Sequence, residues 1–169
     1  MVAQGDIWST QAITSCKAKC GPNVKVVISV REPYSWWRSL YTYGWYCEYA
    51  ATCTLGAESF SAFVHRLAPK AHEPQSFHIH AACGSPCQYD DLIHTETMKQ
   101  DWLDLLNKYN IPPMDLPHMN PSSSHNSNKP RPPPTVFTQA IVDIIHRVDA
   151  SIFSEFGYPK RHDVPFELP

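Results

Sequence analysis

A run of β-branched residues that ends abruptly in Arg-Glu-Pro constrains the fold of this chain more than any other feature. Residues 24–30 read Val-Lys-Val-Val-Ile-Ser-Val, which is typical of a strand buried on at least one face. Pro33 suits the first turn of a helix, because proline fixes φ and its missing N–H is not needed there. Ser35 is the predicted N-cap. The stretch therefore predicts a strand, a tight turn and a helix whose apolar face holds Trp36, Trp37, Leu40, Tyr41 and Trp45.

The next part of the chain predicts a helix, a strand and a second helix, in that order. Apolar residues recur with helical spacing over 59–67, which indicates a short amphipathic helix. Scattered proline, histidine and cysteine make 69–88 a predicted irregular segment, and 89–94 is a predicted second strand. Thr97 and Gln100 match a capping box, which predicts a helix start at this point.

The last third of the chain predicts a loop and a closing helix. Residues 112–134 hold eight of the sixteen prolines, which favours a long surface loop. Apolar spacing over 136–153 predicts a helix, and Gly157 is a natural stop. Alternating strands and helices predict one α/β domain over 1–169, with a short parallel sheet and flanking helices.

Composition limits the classes of protein to which the chain can belong. With 169 residues, 43% of them hydrophobic, the chain can bury the core of one globular domain. A formal net charge of −2 argues against nucleic acid as a partner, since such proteins carry a basic face. No apolar run approaches the roughly 20 residues that span a bilayer, so the chain as given is predicted to be soluble, with no membrane segment.

Six cysteines fall into three local pairs. They admit disulfides, reduced buried thiols, or a zinc site built from two C-x3-C pairs, and the spacing alone leaves all three open. The pairs are Cys16 with Cys20, Cys47 with Cys53, and Cys83 with Cys87.

Arg31 and Ser39 are the candidate binding residues. Arg31 follows a predicted parallel strand, and ligands of open α/β sheets bind at the carboxyl ends of strands. Its planar cation and the Ser39 hydroxyl suit a phosphate or sulfate beside a helix N-terminus. The structural alternative is that Arg31 pairs with Glu32 or Glu48 while Ser39 faces solvent.

Weaker candidates lie elsewhere in the chain. Glu96 is a conceivable base, although a carboxylate beside a helix start is expected to neutralise that helix end. A metal cluster of histidines and cysteines and a pair of loop cations are further candidates, for which solvated or linker roles are preferred. These residues are His78, His80, Cys83, Cys87, Lys129 and Arg131.

Residues 26–41 resemble the 3′-phosphate-binding motif of sulfotransferases. The shared pattern is a hydrophobic strand, Arg31-Glu32-Pro33, a serine eight residues after the arginine, and Tyr41 two residues later. The resemblance implies that Arg31 and Ser39 hold the 3′-phosphate of the sulfate donor PAPS (3′-phosphoadenosine 5′-phosphosulfate). It also implies a partial P-loop-like three-layer fold. Trp36 stands where many members have a second arginine.

Further segments resemble the carbohydrate sulfotransferases of the Golgi. One resemblance lies in Cys83 to Cys87 followed by 89–97, which is similar to their C-x-P-C and Tyr-Asp…Glu-Thr segment. A second is His118-Met119-Asn120, which resembles the end of one of their strands. A third is Phe156-Gly157-Tyr158, which resembles their terminal motif. The resemblance implies transfer of a sulfuryl group from PAPS to a hydroxyl, on a carbohydrate acceptor in the Golgi lumen, with no metal.

Residues 1–23 contain no strand followed by a lysine-bearing loop for the 5′-phosphosulfate. The family pattern therefore predicts an N-terminally truncated, inactive chain, or a pseudoenzyme, and the catalytic residues stay unassigned. The alternatives are a non-catalytic binder of the nucleotide or of glycans, and a cysteine-stapled interaction module.

Overall fold

A computed structural model describes residues 23–46, 59–69, 74–83, 88–116 and 132–168. The chain divides into two compact units, the first comprising Met1–Glu32 and Pro74–Leu116, the second Pro33–Glu73 and Pro117–Pro169. The prediction of a single domain over 1–169 stays a prediction. Several sequence expectations fall on residues outside the description: five of the cysteines, Glu48, His118–Asn120, Lys129, Arg131 and most of the loop over 112–134.

The described residues form helices and short strands that are numbered here in chain order. They are β1 (Val27–Val30), α1 (Pro33–Tyr46), α2 (Phe60–Leu67), α3 (Gln75–Cys83), β2 (Asp91–His94), α4 (Met98–Lys108), β3 (Val136–Phe137), α5 (Gln139–Val148), α6 (Ala150–Glu155) and β4 (Phe166–Glu167). Within these ranges, no helix has both the length and the apolar character needed to cross a bilayer.

The first unit is built on the parallel pair β1 and β2. The register aligns Val27 with Asp91 and Val30 with His94. Ile28 and Val30 are buried on one face of β1. Helix α3 contacts β1 and helix α4 contacts β2, so helices flank the sheet. The prediction of a mixed α/β structure with a short parallel sheet is confirmed.

The turn from β2 into α4 has a different anchor from the predicted capping box. The Thr97 side chain makes no capping bond, and the Gln100 side chain donates to Asp104 at 2.9 Å. Asp101 is the anchor, because its carboxylate accepts the His94 N–H at 2.7 Å. That bond, with smaller help from Thr97 and the His94 ring, lowers the pKa of Asp101. The helix start was predicted correctly, but the side chain that holds it was not.

Helix α3 corrects the prediction that 69–88 is irregular. Pro74 precedes the helix, and its carbonyl accepts the Phe77 N–H at 3.1 Å. The sequence Gln-Ser-Phe-His-Ile-His-Ala-Ala-Cys alternates apolar and polar residues, so it lacks the spacing of an amphipathic helix. Burial in α3 falls at its two ends, on Gln75 and Cys83.

The second unit has an aromatic core. Rings from α1 pack edge-on against rings from α2 and β3, at centroid distances of 5.2–5.7 Å, and a ring of α2 packs against one of β3 at 5.0 Å. Helix α5 closes the core with aliphatic side chains. The buried members are Tyr34, Trp37, Tyr41, Phe60, Phe63, Val64, Leu67, Phe137, Ile141, Val142, Ile145 and Phe153.

Two helices of the second unit begin in different ways. Ser59 caps α2, since its hydroxyl accepts the Ala62 N–H at 3.2 Å; the sequence predicted this helix but not its cap. Helix α1 begins at Pro33, so Ser35 lies inside the first turn and is not the N-cap. Proline therefore marks this helix start more accurately than the serine does.

The predicted closing helix over 136–153 is interrupted. Residues 136–137 form β3, which pairs antiparallel with β4, and the helix breaks at Asp149 into α5 and α6. Asp149 leaves helical geometry at φ −109° and ψ 27°, and its buried carboxylate accepts the Trp37 indole N–H at 2.8 Å. Apolar spacing could not reveal the break, because Ile145 and Ile152 are buried on either side of it.

Tyr34 connects α1 to the C-terminal segment through its buried hydroxyl. The hydroxyl oxygen accepts the Arg161 N–H at 2.8 Å and lies 2.5 Å from His146 Nε2. The donor in the contact with His146 depends on which ring nitrogen of the histidine carries the proton. Burial, followed by the charges of Lys160 and His162, lowers the pKa of His146 from its ordinary 6.5, while Asp143 opposes this.

We expect acidification to destabilise the protein through His146. A lowered folded-state pKa means that the unfolded state binds more protons. Above pH 6.5, its ordinary pKa, His146 therefore does not lower the free energy of unfolding. As the pH falls from there through the folded-state pKa, protonation favours the unfolded state and stability is lost. Urea unfolding at about pH 7.5 and about pH 5.5 should show a smaller pH effect in His146→Gln than in wild type.

The matched control is His65→Gln, an exposed histidine whose ring bonds only the Ser61 carbonyl of its own helix. It should keep the wild-type pH effect. Equal pH effects in His146→Gln and wild type would contradict the lowered pKa of His146.

Candidate functional site

Arg31 lies where the sequence predicted it, one residue beyond the carboxyl end of β1. It is half-buried and belongs to the first unit. The β1–β2 ladder extends to this point, because the Thr95 N–H donates to the Val30 carbonyl at 2.9 Å. Beyond it the main chain leaves the sheet, and side chains take over the hydrogen bonds.

Gln75, at the start of α3, supplies two of those bonds. Its Oε1 accepts the Arg31 N–H at 2.8 Å, and its Nε2 donates to the Arg31 carbonyl at 2.7 Å. One side-chain amide thus satisfies both main-chain groups of Arg31, as a neighbouring strand would. Only 2% of Gln75 is exposed.

Glu96 supplies the next bond. Its Oε1 accepts the Glu32 N–H at 2.8 Å and the Thr95 hydroxyl at 3.1 Å. Glu96 therefore fixes the main chain directly after Arg31, a contact that was not predicted, and its role at the start of α4 stays a prediction. Together with Thr95 and Gln75, it gives a partner to every main-chain polar group from the Val30 carbonyl to the Glu32 N–H.

The Arg31 guanidinium, in contrast to its main chain, has no hydrogen-bond or ion-pair partner among the described residues. The alternative pair with Glu32 is therefore absent from this part of the chain, and Glu48 lies outside it. A half-buried cation without a counter-charge loses hydration and gains nothing in exchange, unless an anion binds it. The guanidinium is therefore available to an anionic ligand, while the Glu96 carboxylate lies on the main chain directly after it.

Ser39 lies in the middle of α1 and is half-buried. Serine and threonine inside helices often donate to the carbonyl four residues earlier, as Thr42 does to Arg38 at 3.0 Å. Ser39 makes no such bond, and its hydroxyl has no hydrogen-bond partner among the residues that the structure describes. Ser39 belongs to the second unit, so the structure does not by itself bring Arg31 and Ser39 together.

Sequence reasoning identified Arg31 but missed Gln75. A buried glutamine has no distinctive sequence signal, and its helix was itself unexpected. The proline at position 74 was the available cue, since proline often immediately precedes or opens a helix.

Cys83 is disulfide-bonded and 3% exposed, so of the three alternatives for the cysteines the disulfide applies to this residue. Its partner lies outside the described ranges. His78 and His80 lie in α3 and not in a polar loop. Within the described part of the chain, no three histidine, cysteine or acidic side chains form a group able to hold a metal ion.

Comparisons of the chain with protein-family models, with curated proteins and with solved structures found no match.

Proposed function

We propose that this chain is part of a PAPS-dependent sulfotransferase and that it supplies the 3′-phosphate side of the donor site. In this proposal, Arg31 and Ser39 bind the 3′-phosphate, and the acceptor is a hydroxyl group on a carbohydrate. The proposal includes a P-loop-like fold and a site of action in the Golgi lumen.

The observation that carries the proposal is the environment of Arg31. The guanidinium lacks a partner among the described residues, whereas the main chain that bears it is fully hydrogen-bonded. A structural arginine would show the reverse, with its charge paired. The half-buried Ser39 hydroxyl likewise has no partner among the described residues, as the proposal requires of a ligand-binding hydroxyl.

The chemistry of the proposed ligand fits these two residues. A guanidinium offers planar, paired donors that match two phosphate oxygens, and a hydroxyl offers a third donor. Sulfuryl transfer, like phosphoryl transfer, depends mainly on positioning and on stabilising charge at peripheral oxygens. A firmly bound 3′-phosphate would place the donor's remote sulfate without entering the reaction itself.

Ligand-dependent stabilisation and sulfate transfer test the proposal together. Adenosine 3′,5′-bisphosphate at 100 times its dissociation constant should stabilise the fold by about 2.7 kcal/mol. Radioactive sulfate carried by PAPS should then appear on a carbohydrate if the protein is the enzyme. Nucleotide stabilisation without transfer would support the nucleotide site alone, which the non-catalytic alternative also predicts. If the nucleotide gives no stabilisation at millimolar concentration, the proposal is wrong.

A further inference from the structure

We infer that Gln75 is a positioning residue for Arg31, whose buried amide fixes the Arg31 main chain so that the guanidinium is preorganised for an anionic ligand. The identity of that ligand as a 3′-phosphate rests on the proposed function. The positioning itself rests on the contacts within the first unit.

The first argument is geometric. The two bonds between Gln75 and Arg31, of 2.8 and 2.7 Å, join groups that are 44 positions apart in the chain. Because one bond uses the amide oxygen and the other the amide nitrogen, the Gln75 amide has one orientation that satisfies both. The bonds fix the main chain on either side of the Arg31 Cα atom, and so fix the direction in which the side chain leaves.

The second argument concerns cost. Burying a glutamine loses side-chain entropy and hydration, which only complete hydrogen bonding repays. A leucine of similar size would fill the space without that loss, and a backbone strand could in principle satisfy Arg31. The result of using glutamine is a strand end whose main chain is fully hydrogen-bonded, although no third strand pairs with it among the described residues.

The third argument concerns the neighbours of this contact. Glu96 holds the Glu32 N–H at 2.8 Å and Thr95 holds the Val30 carbonyl at 2.9 Å, so the main chain is fixed on both sides of Arg31. Of the three residues Gln75, Glu96 and Thr95, only Gln75 directs both of its side-chain bonds to Arg31. Preorganisation lowers the entropy that a ligand must remove on binding, which is how a residue without ligand contact raises affinity.

A double-mutant cycle with adenosine 3′,5′-bisphosphate as the probe tests the inference. Gln75→Leu keeps the volume, removes both bonds, and should weaken binding by about ten-fold. In an Arg31→Ala background, the same substitution should have almost no effect on affinity, because Gln75 acts through Arg31. The matched control is Gln100→Leu, an exposed glutamine of the same unit that bonds only Asp104, and it should bind as wild type does.

The outcomes separate the two claims. If Gln75→Leu weakens binding equally with and without Arg31, or leaves it unchanged while Arg31→Ala weakens it, the positioning role is wrong. If Arg31→Ala binds as wild type does, or wild type does not bind, the proposed function is wrong instead.

A ligand-free measurement then still decides the positioning role. In wild type, hydrogen exchange at the Arg31 amide should be slow, like exchange within β1, and the Arg31 Nε should be more ordered by NMR relaxation than that of the exposed Arg147. Fast exchange, or equal disorder in both arginines, would overturn the inference even if Gln75→Leu fails to fold.

Discussion

Arg31→Ala is expected to weaken the binding of adenosine 3′,5′-bisphosphate by between about 10-fold and about 150-fold. A hydrogen bond to a charged group contributes about 1.5–3 kcal/mol, and about 1.4 kcal/mol corresponds to a factor of ten. The fold should remain intact, because the guanidinium makes no hydrogen bond or ion pair with any residue that the structure describes. Titration calorimetry gives the affinity, and thermal unfolding checks the fold.

Ser39→Ala and Arg147→Ala complete this experiment. Ser39→Ala removes one neutral donor, so it should cost about 1 kcal/mol, or roughly five-fold in affinity. Arg147 is an exposed residue of α5. Its replacement by alanine removes the same charge and should leave the affinity for adenosine 3′,5′-bisphosphate unchanged. Equal losses in Arg31→Ala and Arg147→Ala would show a non-specific charge effect and contradict the assignment of Arg31.

Trp37→Ala is expected to have the largest effect on stability, lowering the free energy of unfolding by about 3–5 kcal/mol. Trp37 is fully buried in the core of the second unit, so its truncation leaves a cavity among aromatic neighbours. The substitution also removes the 2.8 Å bond from the indole N–H to the buried Asp149 carboxylate. Trp37→Phe keeps most of the volume and should cost about 1–3 kcal/mol, through loss of that donor.

Tyr43→Ala is the matched control for Trp37→Ala. Tyr43 lies on the same helix, but 54% of it is exposed, so its loss should change stability by less than about 0.5 kcal/mol. Urea unfolding followed by far-ultraviolet circular dichroism compares the three variants. If Trp37→Ala is no less stable than Tyr43→Ala, Trp37 does not belong to the core as described.

Much of the local structure could be predicted because its signals are local. The β-branched run before Arg31-Glu32-Pro33 marked β1 and the start of α1, and apolar spacing after Ser59 marked α2. Burial and helix starts follow from such patterns, because neighbouring residues in the sequence determine them. The position of Arg31 at the end of a parallel strand followed from the same reasoning.

The contacts that define the site, and the buried contact of Trp37 in the core of the second unit, could not be predicted, because they join residues far apart in the chain. Gln75 reaches Arg31 across 44 positions, Glu96 reaches Glu32 across 64, and Trp37 reaches Asp149 across 112. Each partner is a polar side chain that apolar spacing ignores. The break at Asp149 went undetected because the apolar spacing continues across it, with Ile145 and Ile152 buried on either side.

Discrimination between two nucleotides tests the central claim most directly. Calorimetric titration of the wild-type chain with adenosine 3′,5′-bisphosphate and with adenosine 5′-monophosphate isolates the 3′-phosphate as the only difference between the ligands. The bisphosphate should bind at least about ten-fold more tightly, and Arg31→Ala should remove most of that preference, leaving at most the roughly five-fold share of Ser39. Equal affinity of the wild-type chain for the two nucleotides, or a preference that is undiminished in Arg31→Ala, would contradict a 3′-phosphate site at Arg31.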